Sequence, residues 1–104
     1  MPYTSGMEVD FNDDDLDRLE TDSQFTAGFS QEIVRAYRMR MQQIRGALDE
    51  RDFYSLKSLR FEKLKGDREG QYSIRLNLQW RLILEIRGKH PCKVVAIIGI
   101  ADYH

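Results

Sequence analysis

The chain has 104 residues, a formal net charge of −1, 41% hydrophobic residues, and five Phe, five Tyr and one Trp. A chain of this size and composition buries one core without disulfides and is too apolar for wholesale disorder, and its single cysteine, Cys92, excludes an internal disulfide. The longest apolar run, residues 94–100, is too short to cross a bilayer as a helix, and the first residues lack the pattern of a secretion signal, so the sequence predicts one cytoplasmic domain over 1–104 with no membrane contact.

The charge is unevenly placed. Residues 1–30 carry eight acids against Arg18 alone, whereas the remaining 74 residues hold fifteen Lys and Arg against nine acids. A basic body suits a polyanion such as RNA, because neutralised phosphates release counterions. A solvated surface of mixed charge has the same composition.

Residues 1–6 read as a loose end. Residues 7–11 alternate apolar with acidic, as in a half-buried strand. Asn12 or Asp13 then caps a helix to about Asp22, with Asp13, Asp14 and Asp15 facing the positive end of its macrodipole. That accounts for the acid run without calcium, whose loop needs alternating ligands, a central Gly and a distal Glu. Ser30 caps a second helix to about Asp49, with an apolar stripe of Ile33, Tyr37, Met41, Ile44 and Leu48. Arg35, Arg38 and Arg45 lie off this stripe, on a face read as solvated.

From Phe61 onward the period changes to two, punctuated by Gly66, Gly70, Gly88 and Pro91. Tyr72, Ile74 and Leu76 alternate with polar residues, and so do Trp80, Leu82, Leu84 and Ile86 on the next strand. Keeping both apolar sets on one face requires Leu76 opposite Trp80, a three-residue loop of Asn77, Leu78 and Gln79, and Arg75 opposite Arg81. Two facing arginines repel unless an anion lies between them, and a phosphate would satisfy both. Carried across a tight turn with Arg87 opposite Cys92, the register puts Arg81 opposite Ile98. Without a bulge, Asp102 and His104 then share the face of Arg75 and Arg81.

The run Leu64, Lys65, Gly66, Asp67, Arg68, Glu69, Gly70, Gln71, Tyr72, Ser73, Ile74, Arg75, then Trp80, Arg81, Leu82, Ile83, and finally Asp102, Tyr103, His104, resembles the HigB toxins of the RelE superfamily. The resemblance covers about the last forty-five residues; the first sixty match only in element order. It implies an α+β fold of the RelE type, with an N-terminal strand and two helices packed on a C-terminal antiparallel sheet. It further implies a toxin that cuts mRNA in the ribosome and so inhibits translation, without a metal or other cofactor. The implied partner is a HigA-like helix-turn-helix antitoxin, with operator DNA bound only through the toxin–antitoxin complex. By resemblance Lys65 and Arg81 contact the scissile phosphate, Asp102 and His104 transfer protons, and Tyr103 orients the RNA or stacks on a base. Arg75, Arg68 and Lys63 are assigned to RNA binding, and Glu62 stands where some members carry a histidine.

Cleavage through the RNA's own 2′-hydroxyl needs a base, an acid for the departing 5′-oxygen, and cations for the charge on the phosphorane. Histidine titrates near neutrality and serves either proton role. Of the two histidines, His90 precedes Pro91 in a turn, which leaves His104 as the catalytic choice. The terminal carboxylate and Asp102 favour its protonated form and suit it to act as the acid, whereas Asp102, Glu62 and His104 all qualify as the base. Arg81 offers a bidentate fork and Lys65 a mobile point charge; taken without the resemblance, Arg81 reads as a partner of Glu85 or Asp102. Other chemistries are poorly supported. His90 and Cys92 lack a second pair of zinc ligands, residues 66–70 lack the ending of a phosphate-binding loop, and Ser73 has no triad. The alternative is a RelE-fold protein that binds RNA or a partner with little catalysis.

Overall fold

The structure, a computed structural model, describes residues 7–89 and 93–102. The predicted loose end at 1–6, the turn residues His90, Pro91 and Cys92, and the terminal Tyr103 and His104 lie outside the described residues.

Strand β1 (Glu8–Phe11) leads into helix α1 (Asp14–Thr21). Of the two candidate caps it is Asp13 that acts, its Oδ1 accepting from the Leu16 amide at 3.1 Å. Helix α2 (Gln31–Gly46) is capped by Ser30, whose hydroxyl accepts from the Ile33 amide at 3.3 Å. Its buried stripe holds Ile33, Val34, Tyr37, Met41 and Ile44, but it ends earlier than the sequence predicts, and Leu48 is 69% exposed. Gly46 is a weak helix former. Beyond it the chain is drawn into other bonds, the Ala47 carbonyl accepting from Met7 and the Leu48 amide donating to Asp52. A short helix absent from the sequence reading, α3 (Arg51–Ser55), follows and buries Phe53.

Two of the three off-stripe arginines are structural. Arg38 donates to the carbonyls of Leu19, Asp22 and Phe25 and so satisfies the open end of α1. Arg45 makes a bidentate pair with Glu20 at 2.6 and 2.8 Å, which holds its guanidinium firmly protonated. Arg35 is exposed as predicted, and Arg45, although paired with Glu20, also keeps a solvent-exposed position, whereas Arg38 is half-buried.

The remaining strands are β2 (Glu62–Lys63), β3 (Tyr72–Arg75), β4 (Trp80–Arg87) and β5 (Val94–Asp102), and the sheet order is β1-β5-β4-β3-β2. The α+β reading holds. The N-terminal strand does more than the sequence indicates, because it joins the sheet edge parallel to β5, while every other pairing is antiparallel. Residues buried by the helices and by one face of the sheet form a single cluster, including Leu19, Tyr37, Met41 and Phe53 against Ile74, Leu82, Leu84, Val95 and Ile97. All three helices therefore lie on that face. Each fully buried aliphatic side chain there contributes about 1.5–3 kcal/mol relative to exposure.

The β3–β4 hairpin has the predicted register, with Arg75 opposite Arg81 and Ile74 opposite Leu82. Its loop is closed by Asn77, whose Oδ1 accepts from the amides of Gln79 and Trp80 at 2.8 Å each while its Nδ2 donates to Glu32. The β4–β5 pairing departs from the sequence reading. Arg87 faces Val94, not Cys92, because the connection is longer than a tight turn. A bulge at Ile98 then shifts the register by one more residue, so Arg81 faces Ala101, not Ile98, and Asp102 faces Trp80.

Tyr37 ties the helices together, its fully buried hydroxyl donating to the Leu16 carbonyl at 2.7 Å. Burial, with Glu20 and Asp17 nearby, pushes this phenol well above the ordinary tyrosine range. The unfolded chain loses the proton near pH 10 while the native chain keeps it. The contribution to stability is therefore complete below about pH 10 and is lost as pH rises further, by up to about 1.4 kcal/mol per pH unit. Thermal melts between pH 9 and 11 should show a steeper loss for the wild type than for Tyr37→Phe.

Candidate active site

Because adjacent side chains of a strand point to opposite faces, the sheet surface away from the helices is set by the register. Across it run Arg75, Arg81 and Ala101 in one row and Glu62, Ser73, Ile83 and Gly99 in the next. Ser73 and Ile83 are 1% and 3% exposed, so this face is packed at its centre, whereas Arg75 and Arg81 are half-buried and Glu62 is exposed. Directly opposed residues of an antiparallel pair stand about 4.5–5.5 Å apart at Cα, which concentrates two guanidinium charges at one point of the sheet. Beside them β5 contributes only the small residues Ala101 and Gly99, and a Cβ added at Gly99 would meet nothing within 4 Å. A cationic row flanked by low ground suits an extended anion.

The cationic row is braced from the helix side by Arg40, which the sequence reading does not single out. Its Nε donates to the Arg75 carbonyl at 2.9 Å, its Nη2 to the Ser58 carbonyl at 3.1 Å, and its Nη1 to Gln43. Burial, and then the charge of Arg75, lower its pKa from the usual arginine value. Arg40 thus fixes the backbone that carries Arg75. The signal was weak in sequence because an arginine off an apolar stripe reads as solvated.

The other sequence-derived candidates divide by position. Glu62 shares the arginine face, two strands from Arg81. Lys63 is opposite Tyr72 and so projects from the helix side of the same edge strand, away from the arginines. Lys65 is exposed at the start of a short 3-10 turn, Gly66–Arg68. Arg68 donates to Gln71, whose amide donates to Glu85, and Glu85 also accepts two bonds from Arg87. The bonds from Gln71 and Arg87 lower the Glu85 pKa, and the carboxylate is engaged by these two groups. Asp102 departs from its expected face: it lies opposite Trp80 at the strand end and accepts from the Gln79 amide at 3.1 Å. The bulge at Ile98 accounts for the change. His104 and Tyr103 lie outside the described residues. Among the described residues no group of three or more His, Cys, Asp or Glu could hold a metal ion, and no helix is long and apolar enough to cross a membrane.

A family model described as the RelE-like toxin of the type II toxin–antitoxin system HigB matches residues 9–104. The chain belongs to this family of HigB-like toxins. No curated protein sequence matches it. Among solved structures, a YoeB/ParE toxin from Agrobacterium tumefaciens is similar with a TM-score of 0.54 at 17% identity, covering 94% of this chain and 100% of that one. A YoeB–YefM complex from Staphylococcus aureus is similar with a TM-score of 0.55 at 20% identity, covering 96% of this chain and 99% of that one. At these identities the likeness is one of fold, and it agrees with the α+β architecture of a RelE-like toxin.

For this HigB-like toxin, the brace at Arg40 has a measurable weight. Arg40→Met keeps the aliphatic stem and removes the bonds to two backbone carbonyls, so it should cost about 1–3 kcal/mol of stability. Thermal denaturation checks this.

Proposed function

We propose that this HigB-like toxin is a cytoplasmic endoribonuclease that cuts mRNA in the ribosome without a metal ion of its own, and so stops translation. The observation that carries the reading is the facing pair Arg75 and Arg81 on the sheet surface away from the helices. Two cations held opposite each other are stabilised by a phosphate lying between or over them.

In the proposed reaction the 2′-hydroxyl gives its proton to a base and attacks phosphorus. The bond to the 5′-oxygen breaks, and that oxygen takes a proton from His104, leaving a cyclic phosphate and a 5′-hydroxyl end. Arg81 forks onto the phosphate and Lys65 adds a mobile charge from the loop after β2, both acting on the charge that builds in the phosphorane. Tyr103 stacks on or orients the RNA. With His104 giving its proton to the 5′-oxygen, Asp102 and Glu62 are the candidate bases. Glu62 gains weight because it shares the arginine face, while Asp102 is separated from His104 in sequence only by Tyr103. Arg68 and Arg75 supply further phosphate contacts.

A HigA-like helix-turn-helix antitoxin is the proposed restraint, with operator DNA bound only by the complex. Two solved structures of this fold from Staphylococcus aureus are YoeB–YefM complexes, one of them a heterotetrameric toxin–antitoxin complex, which supports an antitoxin partner. The test is incubation of the purified chain with a defined mRNA, free and bound to programmed ribosomes. Cutting of the bound message is expected. An intact message in both states would favour the alternative of a RelE-fold binding protein with little catalysis.

A further inference from the structure

On the far side of strand β2 from Glu62 lies a second patch with the composition of a nucleic-acid platform. Phe61, just before β2, is stacked on Tyr72 with centroids 4.9 Å apart and ring planes 5° from parallel. Phe53 and Tyr54 meet it edge-to-face at 5.2 and 4.8 Å. Phe61 is thereby fixed, while Tyr54 remains 56% exposed. Tyr54, Leu56, Lys57, Arg60 and Phe61 line an open concavity of about 360 Å³.

The surrounding charge is positive. Lys57 and Arg60 lie on the turn beside Tyr54, and Lys63 projects from the same side of β2 as Tyr72. Among the described residues none of these three makes an ion pair. The acids at and just before the start of the adjoining helix are otherwise engaged, Asp49 by Arg51, Glu50 by Lys93 and Asp52 by the Leu48 amide. Arg60 also holds left-handed backbone, with φ 49° and ψ 49°. Glycine takes that conformation without strain, so Arg60→Gly removes the cation without straining the turn.

We infer that this patch, on the opposite side of β2 from the arginine pair, binds the single-stranded RNA that flanks the cut site. The inference rests on the RNA-cleaving reading above. Aromatic rings beside unpaired cations bind single strands of any sequence, because every base has a face to stack and every linkage a charge. Strand β2 has only two residues, with Glu62 on the arginine side and Lys63 on the patch side. A strand of RNA crossing this short edge passes from one surface to the other.

The test is titration of a fluorescently labelled twelve-nucleotide single-stranded RNA with the full chain, by anisotropy at several salt concentrations. Tyr54→Ala should weaken binding about tenfold and Tyr54→Phe should leave it nearly unchanged. The double variant Lys57→Ala with Arg60→Gly should lower the salt slope by about 1.4, close to 0.7 for each cation removed. Unchanged affinity and slope in these variants would overturn the inference, as would no RNA binding by the wild type. Loss of antitoxin binding with RNA affinity intact would also overturn it, by assigning the patch to a protein partner. Cutting of ribosome-bound mRNA is scored separately: a wild type that does not cut sinks the nuclease reading, whereas intact cutting with unaltered RNA affinity in the variants sinks the patch alone.

Discussion

Replacing Arg81 by alanine is expected to lower the rate of mRNA cutting on programmed ribosomes by about 10²–10³-fold, the usual effect of removing one preorganised group that meets transition-state charge. Arg81 lies mid-sheet between Arg75 and Ala101, and its Nε and Nη1 are shielded from solvent. A charge held in such a place needs little reorganisation when the phosphorane forms. Arg81→Lys keeps the charge but loses the planar fork and should recover only part of the rate. Arg75→Ala should cost less, because the opposite guanidinium remains. Single-turnover cleavage with each variant at saturating ribosomes separates these cases. Equal rates for the wild type and Arg81→Ala would remove the arginine pair from the mechanism.

Tyr37→Ala should be the most damaging change to the fold. The side chain is fully buried between α1 and the sheet, and its hydroxyl satisfies the Leu16 carbonyl. Truncating a buried aromatic costs about 3–5 kcal/mol through lost burial and the cavity left behind, a large part of the roughly 5–15 kcal/mol that holds a small domain together. At about 4–8 °C per kcal/mol for a domain of this size, the melting temperature should fall by at least roughly 12 °C. Tyr37→Phe isolates the hydrogen bond and should cost only about 1–3 kcal/mol. A melting temperature within about 3 °C of wild type for Tyr37→Ala would contradict the packing described for α2.

The legible parts of the sequence are those where local chemistry and periodicity agree. Asp13 and Ser30 cap their helices because short polar side chains can take up the open amides behind them. The Arg75–Arg81 pairing followed from alternation on both strands and a loop closed by Asn77. The β4–β5 register was not legible, since residues 94–100 are nearly all apolar or glycine and carry no period-two mark of which face each occupies. The bulge at Ile98 had no sequence signal, and it moved Asp102 to the face of Trp80. Parallel pairing of β1 with β5 joins segments more than eighty residues apart, a contact that short-range pattern does not encode. Leu48 failed because the apolar period continues past the point where Gly46 and the bonds to Met7 and Asp52 end the helix. The candidate site was read from the order and spacing of Lys65, Arg81 and the C-terminal tripeptide, of which Tyr103 and His104 lie outside the described residues, while Arg40 carried little signal because its role depends on the carbonyls of Arg75 and Ser58 that folding brings to it.

Ribosome-dependent cutting by this chain is tested by inducing the wild type and His104→Ala in a bacterial host, with 5′ ends mapped on a reporter mRNA that carries or lacks a start codon. New ends are expected within the coding region of the translated message only, and none with the variant. An intact message with the wild type would rule out cleavage, and the same ends on the untranslated reporter would rule out dependence on the ribosome.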